Sequence, residues 1–195
     1  MEGGFPAGTV VDVEEISDKN WKLLKNIDYT GFKDHYEVPI GQKTDFASVP
    51  RVFVWFLPRY GRYTKAAILH DYLWEVEVPK GMSRLDADGL FRRAMRELKV
   101  PFLRRWIMWA AVRWAALFKP DGRSEWWKEI PRVLLITTLA FFFIFPPLIP
   151  ILLCLLCFYI LEWIVWIPLT IGHWVQVKRG KEAKPVHPPS ITWKL

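Results

Sequence analysis

The sequence predicts an α+β domain, a small N-terminal β portion packed on about three helices, followed by a membrane-inserted helical hairpin. Three observations carry that prediction. Residues 1–132 hold 22 Lys or Arg and 18 Asp or Glu, whereas residues 133–177 hold no Lys or Arg and one acid, Glu162. Short β-prone runs fill the first forty residues, and helix-periodic stretches follow. The apolar block carries Pro146-Pro147-Leu148-Ile149-Pro150 near its middle, a cluster that removes backbone donors and breaks helices. The organisation expected is a soluble domain over 1–120, an interfacial connector over 121–132, a membrane hairpin over 133–175 and a basic cytosolic tail over 176–195.

In the β portion, Thr9–Val13, Trp21–Leu24 and Tyr36–Val38 are candidate strands, separated by Asp, Asn and Gly turn signals. Residues 41–61 contain Pro50 and Pro58 and read as a loop or broken helical piece. Phe46, Val49, Phe53, Trp55 and Phe56 are placed to pack it onto the domain.

The first helix is expected over Tyr63–Glu77, with Ala66, Ala67, His70, Leu73 and Trp74 on one face. Pro79 and Gly81 end it. Ser83 followed by Asp86 predicts a capped helix start, and that helix runs to about Lys99 with Ala87, Phe91, Ala94, Met95 and Leu98 inward. Pro101 suits the first position of a third helix, about 101–118, which Lys119, Pro120, Asp121 and Gly122 end. Trp106, Trp109, Trp114, Arg104, Arg105 and Arg113 give this helix an apolar and basic surface.

The block from Val133 to Val175 is longer than one span of about 20 residues needs. Arms of roughly 132–145 and 151–172 fit around the proline cluster. Lys119, Arg123, Lys128 and Arg132 precede the block, and Lys178, Arg179, Lys181 and Lys184 follow it, so the positive-inside rule puts both ends in the cytosol. The expected membrane-interface residues are Trp106, Trp109, Trp126, Trp127, Trp163, Trp166, Trp174, Arg104, Arg105, Lys128, Arg132, Lys178 and Arg179. Cys154 and Cys157 lie inside the block, where hydrocarbon opposes thiolate formation, and read as packing or lipid-facing thiols. The net charge of +7 crowds around the apolar block, which points to anionic lipid and away from nucleic acid.

Candidate chemistry lies in the soluble part. His70 and Asp88 fall on apolar helix faces, and a buried carboxylate is costly unless paired or bound to a cation. Asp45, His70, Asp71 and Asp88 are the candidate catalytic residues. Asp45, His70 and Asp88 are candidate ligands of a divalent metal, which with a bound water would support hydrolysis. The competing reading is a polar core: Asp45 and Ser48 as turn formers, and Asp88 paired with Arg84 or Arg92 four residues away. The order His35, His70-Asp71, Asp88 matches the HD-type phosphohydrolases, but those are all-helical and His35 lies in a strand-like region.

The segments Thr44-Asp45-Phe46-Ala47-Ser48-Val49-Pro50, Leu69-His70-Asp71-Tyr72-Leu73-Trp74, Arg84 with Asp88, and Phe91 to Met95 occur in fixed order. Over about residues 35–116 this set resembles a small domain of unknown function found in tailed bacteriophages and prophages, marked by a TDFxSVP segment and an HDxLY-type helix. Trp74 stands where that helix motif ends in Tyr. The resemblance implies phage origin more than a reaction. The expectation is therefore a phage-encoded accessory or structural protein at the host inner membrane, or in the virion, with its domain on the cytosolic face. It would act by binding the lipid membrane, itself or another phage component during host penetration, assembly or lysis. The alternative is a membrane-tethered metal-dependent hydrolase.

Overall fold

The computed structural model describes residues 3–31, 34–78, 80–119, 122–123 and 126–190. Pro79, Pro120 and Asp121, named above as helix-ending signals, lie outside the described residues, as do parts of the connector and the end of the tail. The fold is mixed α+β: two small sheets, three helices, and one long apolar helix.

Strands β1 (Val13–Ser17), β2 (Asn20–Leu23) and β5 (Lys43–Thr44) form one antiparallel sheet, and β3 (Ile27–Thr30) pairs with β4 (His35–Val38) in another. The expected run Thr9–Val13 is displaced to Val13–Ser17. Register explains the shift: Ser17 faces Asn20 across a two-residue turn, so only residues from Val13 onward meet β2. Leu23, Ile27, Tyr29 and Val38 are completely buried and give the sheets their inner face.

Residues 45–57 wrap the domain, with Phe46, Val49 and Leu57 buried and Phe53 and Phe56 packed against the core; Trp55, expected to pack there too, is exposed. Phe46 has φ of 63°, a left-handed conformation costly for a bulky side chain. It is held there by a hydrogen bond from its N–H to Thr44 Oγ1 at 2.9 Å and by its ring against Trp21 at 4.9 Å.

Helix α1 (Thr64–Tyr72) runs into a wider π-type turn, Leu73–Glu77, closed by Val78 N–H donating to the Leu73 carbonyl at 2.8 Å. Helix α2 (Arg84–Glu97) begins as its sequence predicts: Ser83 Oγ accepts from the Asp86 N–H at 3.0 Å. Ala87, Phe91, Ala94 and Met95 are buried on one stripe. Helix α3 (Phe102–Ala116) follows, with Pro101 immediately ahead of it.

The largest departure concerns the apolar block. The expected hairpin is not formed; α4 (Ile130–Lys178) is one helix of 49 residues that passes through Pro146, Pro147, Pro150 and Pro168. A reversal needs residues that turn the chain, and residues 140–160 contain no Gly, Asn, Asp or Ser. Gly180 is the first residue after Lys99 with positive φ among the described residues. Proline costs hydrogen bonds here without supplying a turn.

The composition break near Arg132 is also not where packing ends. Val133 is completely buried beside Trp109 and Ala110, Ala140 joins the main core, and Ile136 and Ile144 pack against it. Trp114 Nε1 donates to Thr137 Oγ1 at 2.9 Å, tying α3 to α4. Beyond Leu148 no described residue of α4 is buried.

Candidate functional site: a buried Asp88 cluster beside an apolar cavity

Asp88 is placed by the stripe that makes α2 amphipathic: it stands one turn before Phe91 and Arg92 and is completely buried. Three donors converge on it. His70 Nε2 lies 2.7 Å from Oδ1, Trp74 Nε1 donates to the same oxygen at 3.1 Å, and Arg113 Nη1 donates to Oδ2 at 2.8 Å. His70 comes from α1, Trp74 from the π-type turn and Arg113 from α3, so one carboxylate joins three elements.

The partner of Asp88 is thus Arg113, and not Arg84 or Arg92 as expected from helix spacing. Those two arginines are drawn to indole faces: the Arg84 guanidinium lies 4.1 Å over Trp74 and that of Arg92 lies 4.1 Å over Trp106. Such stacking holds both half-buried, away from Asp88. Arg113, expected on an exposed basic face, is completely buried, and its Nε and Nη2 have no hydrogen-bond partner among the described residues.

Trp and Arg side chains can only donate, so Asp88 receives on both oxygens and His70 Nε2 carries the hydrogen directed at it. Nδ1 is then the ring nitrogen left without a partner in the cluster. The His70 ring is fixed from both sides, with Phe91 at 4.7 Å and Trp74 at 5.6 Å between centroids.

Asp45 stays out of this cluster. Its carboxylate accepts from Ser48 Oγ, which is the turn-forming role. Asp71 accepts from Thr44 Oγ1 at 2.8 Å, and burial pushes its carboxyl well up, opposed by that hydrogen bond. His35 sits in β4, with Nδ1 3.3 Å from Thr30 Oγ1. Among the described residues no group of three or more His, Cys, Asp or Glu side chains is arranged to hold a metal ion.

A cavity of about 920 Å³ adjoins the cluster. Asp45, His70, Asp71 and Trp74 line its polar side. Its apolar walls come from the 46–57 segment, from Phe91, from α3 and from the first half of α4. Sequence reasoning did not find this cavity, because its α4 wall lay in the segment assigned to the membrane.

The expected interface residues divide. Trp109 is buried, Trp126 donates through Nε1 to the Arg113 carbonyl at 2.8 Å, and Trp106 lies under Arg92. Arg104 and Arg105 are half-buried on α3, with Arg105 5.2 Å from the Phe102 ring centroid. Trp127, Lys128 and Arg132 are exposed near the start of α4. Trp163 and Trp166 meet edge to face on α4, with ring centroids 5.1 Å apart, and Trp174 is exposed with Lys178 Nζ 3.9 Å over its ring; Arg179 is exposed beyond it. Cys154 and Cys157 are free and exposed.

The architecture defines a small α+β domain with a polar cluster, a cavity and a long apolar helix. Residues 21–112 match a family described as a protein of unknown function, DUF1353. That match, a little under half of the chain, supports a domain of unknown function over β2 to α3. It contains Asp45, His70, Asp71 and Asp88 and stops one residue before Arg113. No curated protein and no solved structure matches the chain.

Proposed function

We propose that this chain is a phage-encoded, membrane-associated accessory protein that acts by binding. The α+β domain sits on the cytosolic face of the host inner membrane, and the distal part of α4 anchors it there. One observation carries the reading: from Ile149 to Lys178 the helix exposes Leu, Ile, Val and Phe side chains on all sides, with Glu162 the only charge before Lys178. A helix apolar all round needs lipid or protein around it. At about 1.5 Å per residue these thirty positions extend roughly 45 Å, more than a hydrocarbon core of about 30 Å. One helix in this molecule is long and apolar enough to cross a membrane among the described residues. The resemblance of the TDFASVP and HDYLW segments to a phage domain supports the phage origin.

The binding reading is favoured over a metal-dependent hydrolase because the cluster is already neutralised. Arg113 supplies the charge opposite Asp88 that a metal would otherwise supply, and Asp45 is engaged by Ser48.

The test is flotation of the full-length protein with phosphatidylethanolamine–phosphatidylglycerol vesicles, followed by alkaline carbonate washing. The protein should float and resist the wash, and Leu156→Arg with Ile160→Arg should abolish both. A chain that remains soluble and monodisperse without detergent or lipid would overturn the anchor.

A further inference from the structure

We propose that the cavity between the domain and α4 holds one alkyl or acyl chain of a neutral, hydroxyl-headed amphiphile drawn from the bilayer, with His70 Nδ1 hydrogen-bonded to the hydroxyl. The inference rests on the membrane reading for the source of the chain.

The volume of about 920 Å³ is near the top of the range, roughly 300–1,000 Å³, that holds small organic ligands. The walls are apolar along most of the cavity. Phe53, Phe91, Met108, Ala111, Phe141 and Ile144 come from four elements, and none of them offers a hydrogen bond. An elongated apolar tail fits that lining, whereas a sugar, nucleotide or peptide would leave its polar groups unsatisfied.

The wall provided by α4 settles the source. Ile136, Ala140, Phe141, Ile144, Phe145 and Leu148 line the cavity, and the same helix continues without a break into the exposed apolar stretch after Ile149. A chain leaving the bilayer along α4 would reach the cavity with continuous apolar contact.

The polar side decides the headgroup. His70 lines the cavity, and its Nε2 is committed to Asp88, so Nδ1 is the ring nitrogen left for a ligand. Nδ1 makes no hydrogen bond among the described residues. A hydroxyl, which both donates and accepts, can pair with it. Among the described residues, the buried side of the cavity lacks a cation for a carboxylate or phosphate. Arg113 is taken by Asp88, and the two lysines that line the cavity, Lys43 and Lys119, are both exposed at its outer side, Lys119 lying 5.6 Å from the Trp74 ring centroid. Asp45 and Glu75 line the same side and would repel an anionic head. A neutral hydroxyl is the head that these groups accept.

Photolabelling tests this with the full-length protein in phosphatidylethanolamine–phosphatidylglycerol vesicles. The probes are a monoacylglycerol carrying a diazirine in its chain and the free fatty acid with the same diazirine chain. Adducts are mapped by mass spectrometry at pH 8. The monoacylglycerol should label residues of the cavity wall at least fivefold more than the acid. Ala111→Trp, an exposed position on that wall, should cut this labelling at least tenfold while vesicle flotation is unchanged. If Ala111→Trp fails to fold, Ala115→Phe on the same exposed wall should give the same loss. Labelling confined to residues 149–178, or indifferent to both substitutions, overturns the cavity. Equal or stronger labelling by the acid overturns the hydroxyl headgroup. Loss of flotation with cavity labelling retained would sink the anchoring reading alone.

Discussion

The two halves of α4 are nearly alike in composition and opposite in surroundings. From Ile130 to Leu148 the helix buries Val133 and Ala140, donates and accepts through Thr137, and walls the cavity. From Ile149 onward it touches none of the domain's core. Apolar composition therefore says that a segment leaves water, and not where it goes. In the first half, Ala140 and Thr137 make the contact with the domain. Ala140 allows close approach, and Thr137 caps its own hydrogen on the Val133 carbonyl while receiving from Trp114.

The largest expected effect comes from placing the same charge in each half. Val133→Asp buries a carboxylate without a partner and should destabilise the domain by at least about 3 kcal/mol in urea unfolding. Leu156→Asp, on an exposed turn, should leave domain stability within about 0.5 kcal/mol while weakening vesicle binding by roughly 2–3 kcal/mol. Equal effects of the two on unfolding would erase the distinction between the halves.

Arg113→Met comes next. Arg113 lies on the helix that α4 covers, and its loss leaves Asp88 buried with only His70 and Trp74. A cost of about 3–5 kcal/mol is expected from thermal or urea denaturation. Adding Asp88→Leu to Arg113→Met should recover part of that cost, because the uncompensated charge goes with it. A smaller effect is expected for Trp114→Phe, which removes the one side-chain hydrogen bond from α3 to Thr137. It should cost about 1 kcal/mol, and Thr137→Val in the same background should add little.

The smallest effect is a pH dependence at the cavity's polar side. The Asp71 carboxyl is held well above its ordinary range by burial. Its contribution to stability is therefore fully present below the unfolded carboxylate range, near about 4, and declines as pH rises through the folded value. Asp71→Asn resembles the protonated form, so its advantage over the parent chain in urea midpoint should grow from pH 4 to pH 7. An advantage that shrinks over that interval would reverse the assignment.

Helix α2 was legible almost residue by residue, because the Ser83 cap and the apolar period are local signals. The inward position of Asp88 was legible for the same reason. Its partner was not. Arg113 lies 25 residues away, and two arginines stood one turn from Asp88. A signal for Arg113 did exist: it follows Trp109 by four residues and precedes Ala116 by three, which puts all three on one face of α3, and that face is buried. The π-type turn that carries Trp74 toward Asp88 has no mark in composition. The convergence of Asp45 on His70 was not met because Ser48, three residues on, satisfies Asp45 first. The hairpin was inferred from prolines that interrupt helices, without the glycine or asparagine that would reverse one.

Those prolines also work as a depth gauge. Pro146, Pro147 and Pro150 have no N–H, so the carbonyls of Phe142, Phe143 and Pro146, one turn earlier, lose their helical donors. Three bare carbonyls in five residues are expensive in hydrocarbon, where nothing else can donate to them, and inexpensive beside water or lipid headgroups. Pro168 bares a single further carbonyl, at Ile164, which a membrane helix tolerates. If the distal helix is the anchor proposed above, the cluster would hold residues 142–146 at the interface, with the domain beside it. Counting about 20 residues inward from Ile151 ends near Thr170 and Ile171. His173, Trp174 and Gln176 follow at once, with Lys178 folded over the Trp174 ring. On the proposed anchoring, the prolines would mark one shore of the bilayer and this polar group the other, with a helix between them of the length a crossing needs.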